Sequence, residues 1–173
     1  MKILVLNGSP RANGNTAAHV AAFAEGARAA GHTVDVVEVC KKKIAGCLAC
    51  DACRRAGNRT CVVTDDMQAV YPLLDEAEMI VIASPVYYYA LSGQLQCVIS
   101  RFYALDRPLP RLKKSALLLS AAESVAFDGA VQSYHLAFQY WLGAEDMGVI
   151  TAADSENQSE AKLSELRDFG RSL

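Results

Sequence analysis

Short apolar runs alternate with longer amphipathic stretches along the chain. The runs at residues 3–6, 33–39, 79–83, 116–119 and, more weakly, 148–150 lack a strict in–out alternation. That pattern suits strands covered on both faces of a parallel sheet. Between them, residues 15–30, 92–105, 129–142 and 159–172 read as helices. The first is alanine-rich and stops at Gly31, a favourable C-terminal signal. In the second, Leu95, Val98, Ile99 and Phe102 recur at the spacing of one buried helical face. The stretch after Asp65-Asp66 is less regular: either aspartate suits a helix cap, and Pro72 should kink or divide a helix there. This order predicts a three-layer α/β fold, a doubly wound parallel sheet of five strands, as a single domain over residues 1–173. In such sheets ligands sit beyond the carboxyl ends of the strands, which directs attention to the loops after the first, third and fourth strands.

Composition changes this picture little. With 173 residues, 52% of them apolar and 21% charged, the chain has the make-up of a globular domain able to bury a core. A formal charge of −2 gives no reason to expect nucleic acid or an anionic membrane as partner. No apolar run is long enough to span a bilayer, and the opening Met1-Lys2-Ile3-Leu4-Val5-Leu6 runs into a turn without a signal-peptide pattern. Cytoplasmic residence is therefore expected. In a reducing compartment, six cysteines argue for metal or redox chemistry rather than disulfides.

The first loop, "NGSPRANGNT" at 7–16, follows a strand and opens a helix. Free N–H groups and the helix dipole make that place attractive to an anion. Ser9, Asn15 and Thr16 add donors, Arg11 adds positive charge, and Gly14 allows close backbone approach. The loop matches neither the Walker A pattern nor the dinucleotide glycine fingerprint. Read from residue types alone, it is a phosphate cradle or an ordinary connector whose Asn or Thr caps the helix. The second loop, "SPVYYYALSG" at 84–93, places Pro85 and three tyrosines at a strand end. Some of those tyrosines could form a flat shelf, or they could cover the sheet or an oligomer contact.

The two loops together suit flavin mononucleotide. With "ILVLNGSPRANGNT", "DDM" at 65–67 and "MIVIASPVYYYALSG" at 79–93, the chain resembles the flavodoxin-like NADPH-dependent FMN reductase family, well to about Arg101 and weakly beyond. The resemblance implies a flavodoxin-like strand order. It implies that Ser9, Arg11, Asn15 and Thr16 bind the FMN phosphate, and that Pro85, Val86, Tyr87 and Tyr88 border the isoalloxazine. The loop at 120–124, with Ala121 and Glu123, would reach the other side of the ring. That loop departs from the glycine-rich form common in the family, and Gln96 and Ser100 stand where many relatives carry charged residues.

Between the second and third strands, "GCLACDACRRAGNRTC" spaces Cys47, Cys50, Cys53 and Cys61 as C-x2-C-x2-C-x7-C, in a loop at 40–64. Four thiolates are a ligand set for a 4Fe–4S cluster or a closed zinc site, and zinc modules more often use two separated pairs. Free thiols or a redox-active dithiol are the alternatives. The run resembles the compact cysteine motif of the iron–sulfur flavoproteins, a branch of the same family in which a cluster exchanges electrons with FMN. Cys40 and Cys97 read as structural. His19, His32 and His135 pair with no acid or cysteine at a telling spacing. Catalytic groups beyond the flavin are not expected, because the cofactor carries the redox chemistry.

The sequence thus points to an FMN-dependent oxidoreductase that takes electrons from NAD(P)H and reduces a small acceptor: a flavin, quinone, nitro or azo compound. The alternatives are an iron–sulfur flavoprotein exchanging electrons with ferredoxin through a 4Fe–4S cluster, a non-catalytic FMN electron carrier, or a metal-binding module. By resemblance, a homo-oligomer (dimer or tetramer) is expected.

Overall fold

The computed structural model describes residues 1–57, 60–105 and 109–173. Residues 58 and 59, within the expected return from Cys53 to Cys61, lie outside that description. The strands are β1 (Lys2–Asn7), β2 (Thr33–Glu38), β3 (Met79–Tyr87), β4 (Ala90–Leu91), β5 (Lys114–Ala121) and β6 (Glu145–Ala153). Five of them form a parallel sheet in the order β2-β1-β3-β5-β6. Counting the parallel strands alone, this is the flavodoxin-like order 2-1-3-4-5. The sixth, β4, was not expected from periodicity: two residues fold back antiparallel on the end of β3.

Alternate residues of each central strand serve two separate cores, which is why their sequences read as continuous apolar runs. Ile3, Val5, Val81, Ala83 and Leu118 face α1 (Asn15–Ala29) and α6 (Glu160–Ser172). Leu4, Leu6, Ile80, Ile82 and Leu117 face the other layer. That layer is built from α3 (Tyr71–Glu76), α4 (Gly93–Ser100) and α5 (Asp128–His135), while the short α2 (Ala52–Ala56) lies in the cysteine loop. Among the described residues no helix is long and apolar enough to cross a membrane.

Helix ends differ from the periodicity in ways that place the site. Asp65 caps the turn after the cysteine loop, accepting from the Met67 N–H at 3.0 Å, and Pro72 sits in the first turn of α3, where its missing N–H costs nothing. Residues 92–105 are not one helix: α4 ends at Ser100 and a 3₁₀ turn, Arg101–Ala104, carries the buried Phe102. Likewise α5 passes into a π-helical stretch at Leu136–Trp141. Pairing aligns Asn7 with Ala83, and Pro85 with Ser120, so the carboxyl ends of β1, β3 and β5 open on the same edge.

Candidate functional site

The loop from β1 to α1 folds on itself through side chains at its own start. Asn7 accepts from the Ser9 N–H at 3.0 Å and donates to Glu38, at the end of β2, at 3.0 Å. The Ser9 hydroxyl accepts the Arg11 N–H at 3.2 Å, which turns the chain and leaves Arg11 exposed. Gly14 is the N-cap of α1 in an extended conformation, and no side chain caps the first turn. Its N–H groups are therefore not consumed by a capping oxygen. A Cβ on Gly14 would stand 2.9 Å from the Arg11 Cβ, so the turn needs glycine there. Thr16 is buried, its Oγ1 2.7 Å from the Ser120 Oγ at the end of β5.

These residues share a cavity of about 390 Å³. Ser9, Arg11, Asn15 and Thr16 form one wall, Pro85, Val86 and Tyr87 a second, and Ala121 part of a third. Arg11 is the cation among the described lining residues and sits beside the uncapped helix start. That end suits an anion, and the Pro85–Tyr87 shelf suits a flat apolar group. Two residues expected here do not line the cavity. Tyr88 is 96% exposed at the β3–β4 tip, and Glu123 points to solvent.

Tyr88 and Tyr89 both have positive φ, 51° and 66°, in the two-residue link between the paired Tyr87 and Ala90. Such a primed turn normally takes Asn-Gly, because a side chain in this region is strained. The tip is held from below by α5: a Cβ on Gly129 would lie 2.5 Å from the Tyr89 carbonyl oxygen.

Sequence reasoning missed the remaining wall, formed by Asp154 and Asn157 after β6. Asn157 is 4% exposed, and its Nδ2 donates to the carbonyls of Ala121 at 2.9 Å and Asp154 at 3.1 Å. Gln158 donates to Asn15 at 2.8 Å, tying this turn to the start of α1. The buried His19 of α1 donates from Nε2 to the Asn157 carbonyl at 2.7 Å. Burial, with Lys162 adding to it and the bond to Asn157 opposing it, holds that imidazole below its ordinary range, which favours the neutral ring near pH 7.

At the far end of α4 stands the second feature. Cys47, Cys50, Cys53 and Cys61 line one small cavity together with Arg101 and Tyr103. Their thiols do not converge: among the described residues no three His, Cys, Asp or Glu side chains are gathered closely enough to hold a metal ion. The backbone around them is nevertheless specialised. Ala49 and Asp51 have positive φ, and the Ala49 N–H donates to the Cys47 sulfur at 3.4 Å. Turns of this kind aim N–H groups at anionic sulfur. Cys40 lies apart, its sulfhydryl donating to the Gly8 carbonyl at 3.2 Å, with burial pushing its thiol pKa up. Cys97 is half-buried on α4.

The family model for NADPH-dependent FMN reductase matches residues 1–158. An iron–sulfur flavoprotein of Methanosarcina thermophila is 33% identical over 138 residues, 78% of this chain and 71% of that one. Another from Archaeoglobus fulgidus is 35% identical over 101 residues, 58% of this chain but 45% of the relative. Among solved structures, an NAD(P)H:quinone oxidoreductase from Methanothermobacter marburgensis superposes with a TM-score of 0.76 at 19% identity, over 100% of this chain and 96% of that one. At that identity the likeness establishes the flavodoxin-like fold.

Proposed function

The chain belongs to the NADPH-dependent FMN reductase family, and from that premise we propose that it is an FMN-dependent oxidoreductase passing electrons from NAD(P)H to a small acceptor. Flavins, quinones, nitro and azo compounds are the acceptor classes. The observation that carries the reading is the cavity itself, with an uncapped helix start and Arg11 at one end and the Pro85–Tyr87 shelf at the other. Ser9, Arg11, Asn15 and Thr16 would hold the FMN phosphate, and Pro85, Val86 and Tyr87 would border the ring. When bound, FMN supplies the hydride and electron transfer. The side chains bind and orient: Thr16, through Ser120, fixes the phosphate end against β5, and Asn157 closes a further part of the wall.

The test is flavin binding to the apoprotein, followed by fluorescence. Arg11→Ala and Thr16→Ala should each weaken FMN affinity about tenfold, the loss of one charge-assisted or neutral hydrogen-bonding partner. Unchanged affinity contradicts the assignment. NAD(P)H oxidation with a panel of acceptors then separates a reductase from a non-catalytic electron carrier.

A second reading, favoured by the four-cysteine cavity and its N–H···S contact, adds a 4Fe–4S cluster on Cys47, Cys50, Cys53 and Cys61. Ferredoxin would then be an electron partner. The iron–sulfur flavoproteins of Methanosarcina thermophila and Archaeoglobus fulgidus support it by name. The donor chemistry fits, although the thiols must move inward to share a cluster. Iron and sulfide analysis after anaerobic purification decides this, with Cys50→Ser expected to lose iron and keep FMN. A homo-oligomer, dimer or tetramer, is checked by light scattering.

A further inference from the structure

We infer that Ser100 and Arg101, consecutive at the end of α4, are the positioning residues of the four-thiol site, and this rests on the second reading above. The cysteine loop leaves and re-enters the fold through two limbs, one reaching Cys47 and the other starting at Cys61. Arg101 bridges both. Its Nη1 donates to the Ala45 carbonyl at 3.0 Å and its Nη2 to the Val63 carbonyl at 3.2 Å. The same two nitrogens grip Asp65, which in turn accepts from the Ala45 N–H at 3.0 Å. Ser100 adds the link nearest the thiols, its hydroxyl accepting from the Cys47 N–H at 3.1 Å while donating to the Cys97 carbonyl at 2.8 Å.

An arginine that is 1% exposed is unusual, and here its hydrogen bonds go to the feet of the loop that carries Cys47, Cys50, Cys53 and Cys61. A guanidinium fork can span two carbonyls and a carboxylate at fixed geometry, whereas an ammonium cannot. With the span between the limbs set, Cys47 and Cys61 enter the loop at a defined separation. Partners of this kind, once removed from metal sites, typically lower metal affinity about 10- to 100-fold. Ser100 is exposed, so its replacement spares the core.

The experiment titrates the full-length, reduced protein with Co²⁺ alone under anaerobic conditions and follows thiolate-to-cobalt charge-transfer absorption. The wild type should bind the ion. Ser100→Ala and Arg101→Lys should each weaken binding about 10- to 100-fold while FMN affinity and far-UV circular dichroism stay unchanged. Co²⁺ binding by both variants as tight as by the wild type overturns the proposal and leaves the four-thiol reading standing. A parallel loss of Co²⁺ and FMN binding in Ser100→Ala also overturns it, since that is general damage rather than positioning. A wild type that binds no Co²⁺ overturns the four-thiol reading and this proposal together.

Discussion

His19 and Asn157 are joined across most of the chain: the His19 Nε2–H donates to the Asn157 main-chain oxygen at 2.7 Å, in a buried contact. The bond pins the turn after β6 to α1, and so fixes the part of the cavity wall that Asp154 and Asn157 form. Because a carbonyl can only accept, the neutral ring carries its proton on Nε2.

The burial of His19, which the bond to Asn157 opposes, makes stability depend on pH. Burial holds the folded His19 below its ordinary range, so below about pH 6.5 the unfolded chain takes up a proton that the folded one does not. Stability is full above that pH and falls as pH drops through it. In His19→Gln the amide can still donate to Asn157 but does not titrate. Urea unfolding between pH 8 and 5 should show a shallower decline for the variant; parallel curves would refute the assignment.

The strained tip offers a test by stabilisation. Replacing Tyr88-Tyr89 with Asn-Gly puts residues that tolerate positive φ where two tyrosines now stand. Relief of about 1–2 kcal/mol per residue is expected, partly offset by the lost ring contact, whose centroids are 5.9 Å apart. A raised thermal midpoint is the expected result. An unchanged or lowered one would show that the tyrosine packing outweighs the backbone strain.

Much of this architecture is written in hydrophobic pattern, and the failures have physical causes. The central strands are legible because both faces are covered, so their runs are uninterrupted. β6 is an edge strand whose first seven residues are exposed or half-buried, so only residues 148–150 stood out. Asp154 and Asn157, just beyond its true end, were consequently invisible. The family resemblance puts Tyr88 beside Tyr87 on the shelf, whereas in this chain a left-handed turn exposes it to solvent. Arg101 carried no signal at all, since a buried arginine contradicts the period that defines a helix face. The spacing of the four cysteines is plain in the sequence, while the separation of their thiols follows from the tertiary course of the loop among the described residues.

Gly26 is the contact point of α1 with α6. A Cβ there would stand 1.9 Å from the Arg167 carbonyl oxygen, and one on Gly170 would stand 2.3 Å from that of Phe23. Since both obstacles are backbone, the helices must separate to admit a methyl group. Gly26→Ala should cost about 1–3 kcal/mol despite its better helix propensity. Denaturant unfolding checks this, and a gain in stability would show that the crossing yields freely.

The Arg101–Asp65 pair supplies the last test. Its closest approach is 2.8 Å, with side chains 1% and 13% exposed. Breaking such a pair from one side leaves the partner charge poorly solvated, and Arg101→Met should cost about 3–5 kcal/mol. Burial pushes the Asp65 carboxyl up, but hydrogen bonds from Arg101 and from the Ala45 and Met67 N–H groups outweigh it and leave the group below its usual range. The folded carboxyl therefore releases its proton more readily than the unfolded one. Its contribution is complete above about pH 4 and is lost as pH falls through the lower folded value. Asp65→Asn keeps one acceptor for Arg101 but cannot ionise, so it should be less stable near neutrality and show a weaker acid dependence. Acid unfolding curves for wild type and variant that coincide in shape would show that Asp65 has the same affinity for its proton in both states.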